Sequence, residues 1–387
     1  MKTTNENSPV WRLLSVFSSL RLTVIGLMFL LVLTVWGTLY QVEHGLFQSQ
    51  QRFFRSWFFL AGGFLPFPGG QLVMGVMLAN LLAACTRLAL QGRMQIGLLL
   101  THAGLILMLG AGAVTFYLGV ESHLTLFEGE ASNVSSSPGQ WELAVFRPGG
   151  DSSSHVVTAI DAAALKPGTT LAFPTGDFEI SVVDYFPHAE ASKTPQQISK
   201  MNYRNGSGIA ELTPRPQNKE PGDDRPGLMF AIRKGGADED HVLLWGGDTE
   251  NTVVDLDGKS YVFELRRIRY PLPATIQLVE FKKEMHPGSD MARSFSSKVI
   301  VKPEQGAERT VTISMNKPLR FQGFTFYQSS YNVTPEGRQA STFAVVKNFG
   351  RTMPYIATFA TFLGMVIHFV GRLLHRINHL RYKEAAP

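Results

Sequence analysis

Apolar residues in this chain follow two rhythms. Before residue 119 and again after residue 353 they run almost unbroken, whereas between 120 and 350 they come in short bursts that alternate with polar residues. The unbroken runs predict four membrane-crossing helices, Leu22–Tyr40, Gln71–Leu88, Gly97–Leu118 and Tyr355–Val370. Each approaches the ~20 residues that cover bilayer hydrocarbon. The first run has no small-residue cleavage site and is expected to stay attached as a signal anchor. The stretch Phe53–Phe67 breaks the pattern, because Pro66, Pro68 and the adjoining glycines interrupt it. The preferred reading is an in-plane interfacial helix leading into the second span; the alternative is a longer, kinked second span.

The short bursts read as strands. FEISVVDYF, LMFAIRK, HVLLWGG, YVFELRRIRY, ATIQLVEFKKE, SKVIVKP and RTVTISM are rich in β-branched and aromatic residues and are bounded by Gly, Pro, Asp and Asn. HVVTAID, starting at His155, joins this set, and segment 187–227 is expected to hold a long loop. The fold class is thus a membrane protein with about four transmembrane α-helices and a large all-β domain, a sandwich or an open barrel.

Charge orients these pieces. Lys2, Arg12 and Arg21 precede the first span, Arg87 and Arg93 lie between the second and third, and Arg372, Arg376, Arg381 and Lys383 follow the fourth. An even number of spans with both ends in the cytoplasm satisfies all three clusters, although Arg52 and Arg55 sit on the opposite side. The expected layout is a cytoplasmic N-terminus over 1–21, three spans within 22–119, and an extracytoplasmic β-rich domain over 120–350. A fourth span follows over 354–371, then a basic cytoplasmic tail over 372–387. The net charge of +5 fits a membrane surface better than nucleic acid. The one cysteine, Cys85, excludes an internal disulfide or a CxxC redox pair.

Candidate chemistry starts with histidine at membrane depth. His102 lies in the third span and His368 in the fourth, each four or five residues from the basic side. At about 1.5 Å per residue they would sit at similar depth. Ionisable side chains there usually face a protein interior or a ligand, and neutral imidazole can ligate haem iron. Each histidine has a second reading, a hydrogen bond to a neighbouring helix. His44 and His123 are expected near the outer surface, and His155, His188, His241 and His286 show no metal-ligand spacing. Glu121, Glu128 and Glu130 read either as an acid–base pair or as a solvated strand and turn. Phe321, Phe324, Phe326, Tyr327 and Tyr331 read either as hairpin core with an interfacial belt or as a docking surface for an apolar partner or cofactor. There is no nucleophile elbow, P-loop, GxGxxG or zinc motif.

Motifs spread along the chain resemble the ResB (CcsB) family of cytochrome c biogenesis proteins. They are LRLTV and WGTLYQ around span one, SWFFL and NLLAACTRL around span two, GLLLTHAGLILMLGAG in span three, and NKPLRFQGFTFYQSSY late in the β region. AGGFLPFPGGQ stands where the resembled sequences run through more directly. The resemblance implies a haem-handling and apocytochrome-presenting subunit of a System II cytochrome c synthase in the cytoplasmic (inner) membrane. Its implied partners are a CcsA/ResC-type membrane protein, apocytochrome c and membrane lipid, and its implied cofactor is transient haem b. It also implies a non-autonomous subunit of a haem lyase, with His102, in THAGL, as the iron ligand. His368 has no such motif support. The competing reading is a non-catalytic membrane scaffold whose β-domain binds partners while haem never touches this chain.

Overall fold

A computed structural model describes residues 8–90, 95–148, 156–173, 176–194, 203–288 and 292–384. Lys2, Arg93 and His155 lie outside them. The chain divides into two compact units, one formed by residues 1–120 with 347–387 and one by 121–346.

The first unit is helical: α1 Pro9–Phe17, α2 Leu20–His44, α3 Leu46–Ser49, α4 Gly70–Leu90, α5 Ile96–Leu118 and α6 Met353–Glu384. Helices α2, α4, α5 and α6 are long and apolar enough to cross a membrane. Serine starts two helices: Ser8 Oγ accepts from Trp11 N (3.2 Å) and Ser19 Oγ from Arg21 N (3.2 Å). Helix α2 stops where Gly45 adopts a left-handed φ of 84°. Asn80 is 5% exposed within α4. Its amide donates to the carbonyls of Phe17 and Ser19, and its oxygen accepts from Thr23 Oγ1 at 2.7 Å. One buried side chain thereby fixes the turn between α1 and α2.

Segment 53–67 corrects the sequence reading, since it forms neither an in-plane helix nor a kinked span. A π-helical turn, Gln50–Phe54, leads into a two-stranded hairpin of β1 Phe58–Ala61 and β2 Leu65–Pro68. Gly62 and Gly63 turn it with φ of 62° and 85°, values that L side chains resist. The hairpin buries Phe59 and Ala61 with Phe53, Leu33 and Val73. Around them Trp36 meets Phe53, Phe59 and Phe67 at centroid distances of 5.5–5.7 Å. Arg52 lies 5.1 Å over the Tyr40 ring and donates to Leu60 O at 2.9 Å, tying the end of α2 to β1.

The second unit is all β. Its strands are β3 Val120–Phe127, β4 Ala131–Phe146, β5 Val157–Asp161, β6 Thr170–Phe173, β7 Phe178–Phe186, β8 Ala189–Ser192, β9 Glu211–Pro214, β10 Gly227–Lys234 and β11 Ala237–Trp245. They continue with β12 Thr252–Leu256, β13 Lys259–Met285, β14 Ala292–Pro303, β15 Arg309–Ser314, β16 Leu319–Phe321, β17 Phe324–Val333 and β18 Gln339–Lys347. The large sheet runs β15-β14-β13-β4-β3-β18-β17-β16, with β12 on β13 and β5 on β4; a smaller one runs β11-β10-β7-β6.

The sandwich and the open barrel both occur. The first half of β13, with the end of β4, packs on the smaller sheet around Leu143, Phe263, Ile180, Phe230 and Val242. The second half of β13 belongs to a curled region whose core holds Ile276, Leu278, Val299, Phe326 and Phe343. The curl brings non-neighbouring strands together, as the 2.8 Å contact between Ser297 Oγ on β14 and Ser341 Oγ on β18 shows. The apparent break at Pro271 and Pro273 lies within β13, and a register shift against β4 between Pro271 and Ile276 accommodates it. A second shift, between Leu278 and Glu280, resets side-chain parity, so Phe281 stays inside although it lies three residues beyond Leu278. The expected long loop at 187–227 contains the β8–β9 hairpin.

Candidate functional site

Helices α5 and α6 pack antiparallel along a seam of small residues. On α5 these are Gly97, Thr101 and Gly104; on α6 they are Ala357, Thr361, Gly364 and the backbone of His368. The spacings of four and three keep each set on one face. A Cβ at Gly97 would lie 2.5 Å from His368 N, and one at Gly104 would lie 2.7 Å from Thr361 N. Only glycine permits this approach. The seam hydroxyls are satisfied within their own helices, Thr101 Oγ1 donating to Gly97 O (2.9 Å) and Thr361 Oγ1 to Ala357 O (2.8 Å).

His102 follows Thr101 and is half-buried. Its Nδ1 lies 2.8 Å from Leu98 O. A carbonyl oxygen can only accept, so Nδ1 carries a proton, and in the neutral ring Nε2 then keeps its lone pair. That is the tautomer in which imidazole ligates a metal through Nε2, with the other nitrogen oriented by a backbone acceptor. Among the described residues, His368 Nδ1 is buried without a hydrogen-bond partner. The His368 ring meets Phe369 edge-on at 5.7 Å.

The backbone positions of the two histidines are offset along the pair. Thr101 lies against Gly364 and Gly97 against His368, so the His102 backbone stands five residues, roughly 7–8 Å, beyond that of His368 along the pair. Helix α6 continues beyond His368 and the basic residues as far as Glu384.

The other candidates find ordinary partners. The His44 ring stacks on Tyr40 at 3.8 Å. His123 pairs with Ser136 across β3 and β4. His241 meets Tyr203 edge-on at 5.8 Å, and His286 is exposed. Glu128 Oε1 accepts from Phe281 N (2.7 Å) and Glu130 Oε2 from Phe127 N (3.0 Å), the solvated-turn reading. Phe326 is core, with Phe321 and Phe324 packed against it. Tyr331 stacks on Phe281 at 5.3 Å and meets Phe295 at a tilt at 5.0 Å. Among the described residues no cluster of His, Cys, Asp or Glu could hold a metal ion.

Sequence reasoning missed two arrangements in the β unit. His188 Nδ1 lies 3.1 Å from Asp224 Oδ1, and Asp224 also accepts from Asn218 N and Nδ2 at 2.9 Å. Arg267 lies 4.1 Å over the Trp141 ring and donates to the carbonyls of Pro138 (2.6 Å) and Gly222 (2.9 Å). Burial, then the neighbouring Arg225, lowers the Arg267 guanidinium to about 10. Both arrangements converge on residues 221–224, which no local pattern marks.

The fold and seam define a class: a membrane protein in which four helices carry an all-β domain. Within that class the resemblance to the ResB family holds, since residues 228–347 match the ResB-like family model. The chain is also 26% identical over 300 residues to the protein NrfI of Wolinella succinogenes, an alignment covering 76% of this chain and 29% of that protein. The chain therefore spans less than a third of that relative's length. His102 and His368 lie outside the matched family segment.

Proposed function

We propose that this chain acts in cytochrome c biogenesis as a haem-handling, apocytochrome-presenting subunit of a membrane synthase. The ResB-like segment and the NrfI relative support the biogenesis role. One observation carries haem handling: the His102 Nδ1 contact with Leu98 O leaves Nε2 as a free donor within a membrane-length helix. Haem is cargo here, supplying the iron that Nε2 would bind and the vinyl groups that apocytochrome cysteines consume. His102 holds it in this reading, and His368 is the second candidate ligand. The basic clusters support a cytoplasmic-membrane location with the β unit outside the cytoplasm. A CcsA/ResC-type protein is the proposed partner that completes the reaction.

The test is co-expression with such a partner, purification, and measurement of haem by its Soret band. His102→Ala is expected to remove most of the band and most cytochrome c maturation, with the melting midpoint of the complex unchanged. An unchanged band and unchanged maturation would refute the ligand assignment. His368→Ala distinguishes a ligand pair within this chain from one shared with the partner. A reporter fused at 257 that is active only in the cytosol would overturn the topology.

A further inference from the structure

The first membrane-length helix is entered through a separate short one. Between α1 and α2, Ser19 is extended (φ −74°, ψ 129°), so the two are not one continuous helix. One side of α1, with Trp11 and Leu14, is half-buried. Asn80 holds the following turn, and Arg87 Nη1 donates to Ser18 Oγ at 3.2 Å. The other side shows Val10, Leu13, Val16 and Phe17, followed by Leu20, exposed by 74, 62, 64, 37 and 76%. On a 3.6-residue repeat Val10, Leu13, Val16 and Phe17 form one stripe of α1, with Arg12 and Ser15 beside it.

Position and charge say what covers this stripe. Helix α2 starts at Leu20 and is long and apolar enough to span, so α1 lies where the hydrocarbon ends. From residue 8 to residue 120 the sequence contains one acid, Glu43, at the opposite end of α2. Arg12 and Arg21 therefore lie near the headgroups, and among the described residues 8–90 no carboxylate accompanies them at that end of α2, while Glu6 precedes them in the sequence. An exposed apolar stripe flanked by arginine is the pattern of a helix lying in the interface.

We propose that α1 is an in-plane membrane anchor. Its stripe lies among the outer acyl carbons of one leaflet, and Arg12 and Arg21 contact anionic lipid headgroups. The inference is independent of haem handling.

The experiment uses the full chain carrying Cys85→Ala, reconstituted in phosphatidylcholine vesicles with or without equimolar phosphatidylglycerol. Nitroxide labels are placed singly at Leu13→Cys, Val16→Cys and Arg12→Cys, and collisions with oxygen and with a water-soluble nickel chelate are measured. Labels at 13 and 16 are expected to favour oxygen, with nickel collisions several-fold below those at 12. Nickel access at 13 and 16 equal to that at 12 places α1 in water and overturns the anchor. Protection of 13 and 16 from both reagents means that protein covers the stripe, which also overturns it. In the phosphatidylglycerol vesicles, Arg12→Gln with Arg21→Gln is expected to shift the label at 13 toward its released component by about 30-fold. No difference between the two lipid compositions overturns the headgroup contact.

Discussion

Replacing Gly104 by alanine adds one methyl group where α5 meets α6. That Cβ would lie 2.7 Å from Thr361 N and 2.8 Å from Ala357 O, both backbone atoms that cannot rotate away, and ordinary contact starts near 3.4 Å. The helices must therefore part by about 0.7 Å, which weakens dispersion along the rest of the seam. Overpacking of this kind costs about 1–3 kcal/mol. For a unit of this size that corresponds to a melting midpoint lower by about 2–12 °C. Gly110 and Gly112, on the same helix, have nothing within 4 Å of a built Cβ. Alanine there is expected to be neutral or to stabilise by up to about 1 kcal/mol, since glycine is the poorer helix former. Thermal unfolding of the full chain in one detergent, followed by far-ultraviolet circular dichroism, compares the three variants directly. Equal midpoints for G104A, G110A and G112A would refute the close-packed seam.

Other consequences are open to measurement. Asn80→Leu leaves the Phe17 and Ser19 carbonyls and the Thr23 hydroxyl without their partner; it should cost about 1–3 kcal/mol and speed proteolysis at the α1–α2 turn, while unchanged proteolysis would rule out the clamp. Arg267→Lys keeps the charge but loses the planar fork over Trp141 and its spread of carbonyl contacts; a fall of about 1–2 kcal/mol in β-unit stability is expected, and a lysine variant as stable as the parent would refute it. Burial, then Asp161, raises the Tyr185 phenol from 10.0 to about 12. The unfolded chain then releases this proton before the folded one does, so stability should fall as pH rises from 10 toward 12 and be unaffected at neutral pH. Tyr185→Phe should remove that part of the alkaline loss, and a denaturation series across this range that is identical for parent and variant would exclude Tyr185 as its source.

The spans were legible because hydrocarbon length and unbroken apolar runs leave little choice, and α2, α4 and α5 extend the expected segments by only a few residues at either end. The strands were legible as bursts, but their joining was not. Pro271 and Pro273 read as an end, whereas a register shift carries β13 through them. The β1–β2 hairpin is too short for a periodic signal, and its one local cue was the Gly62–Gly63 pair. Helix α1 was hidden because only its serine–proline start marks it. His102 could be singled out by its type at that depth, and its Leu98 contact follows from helix geometry, since a side chain reaches the carbonyl four residues back. The length of α6 was not legible, because the end of an apolar run is not the end of a helix.

Strand β13 contributes Phe263 to one apolar core and Ile276 to the other. Neither half of the β unit can be excised without exposing the other. A fragment following the family match would start at 228 and discard β4 and β7, which pair directly with β13 and β10. A soluble piece for crystallisation or partner pull-down should therefore be cut at Glu121 and Val346, where the chain itself changes from one compact unit to the next.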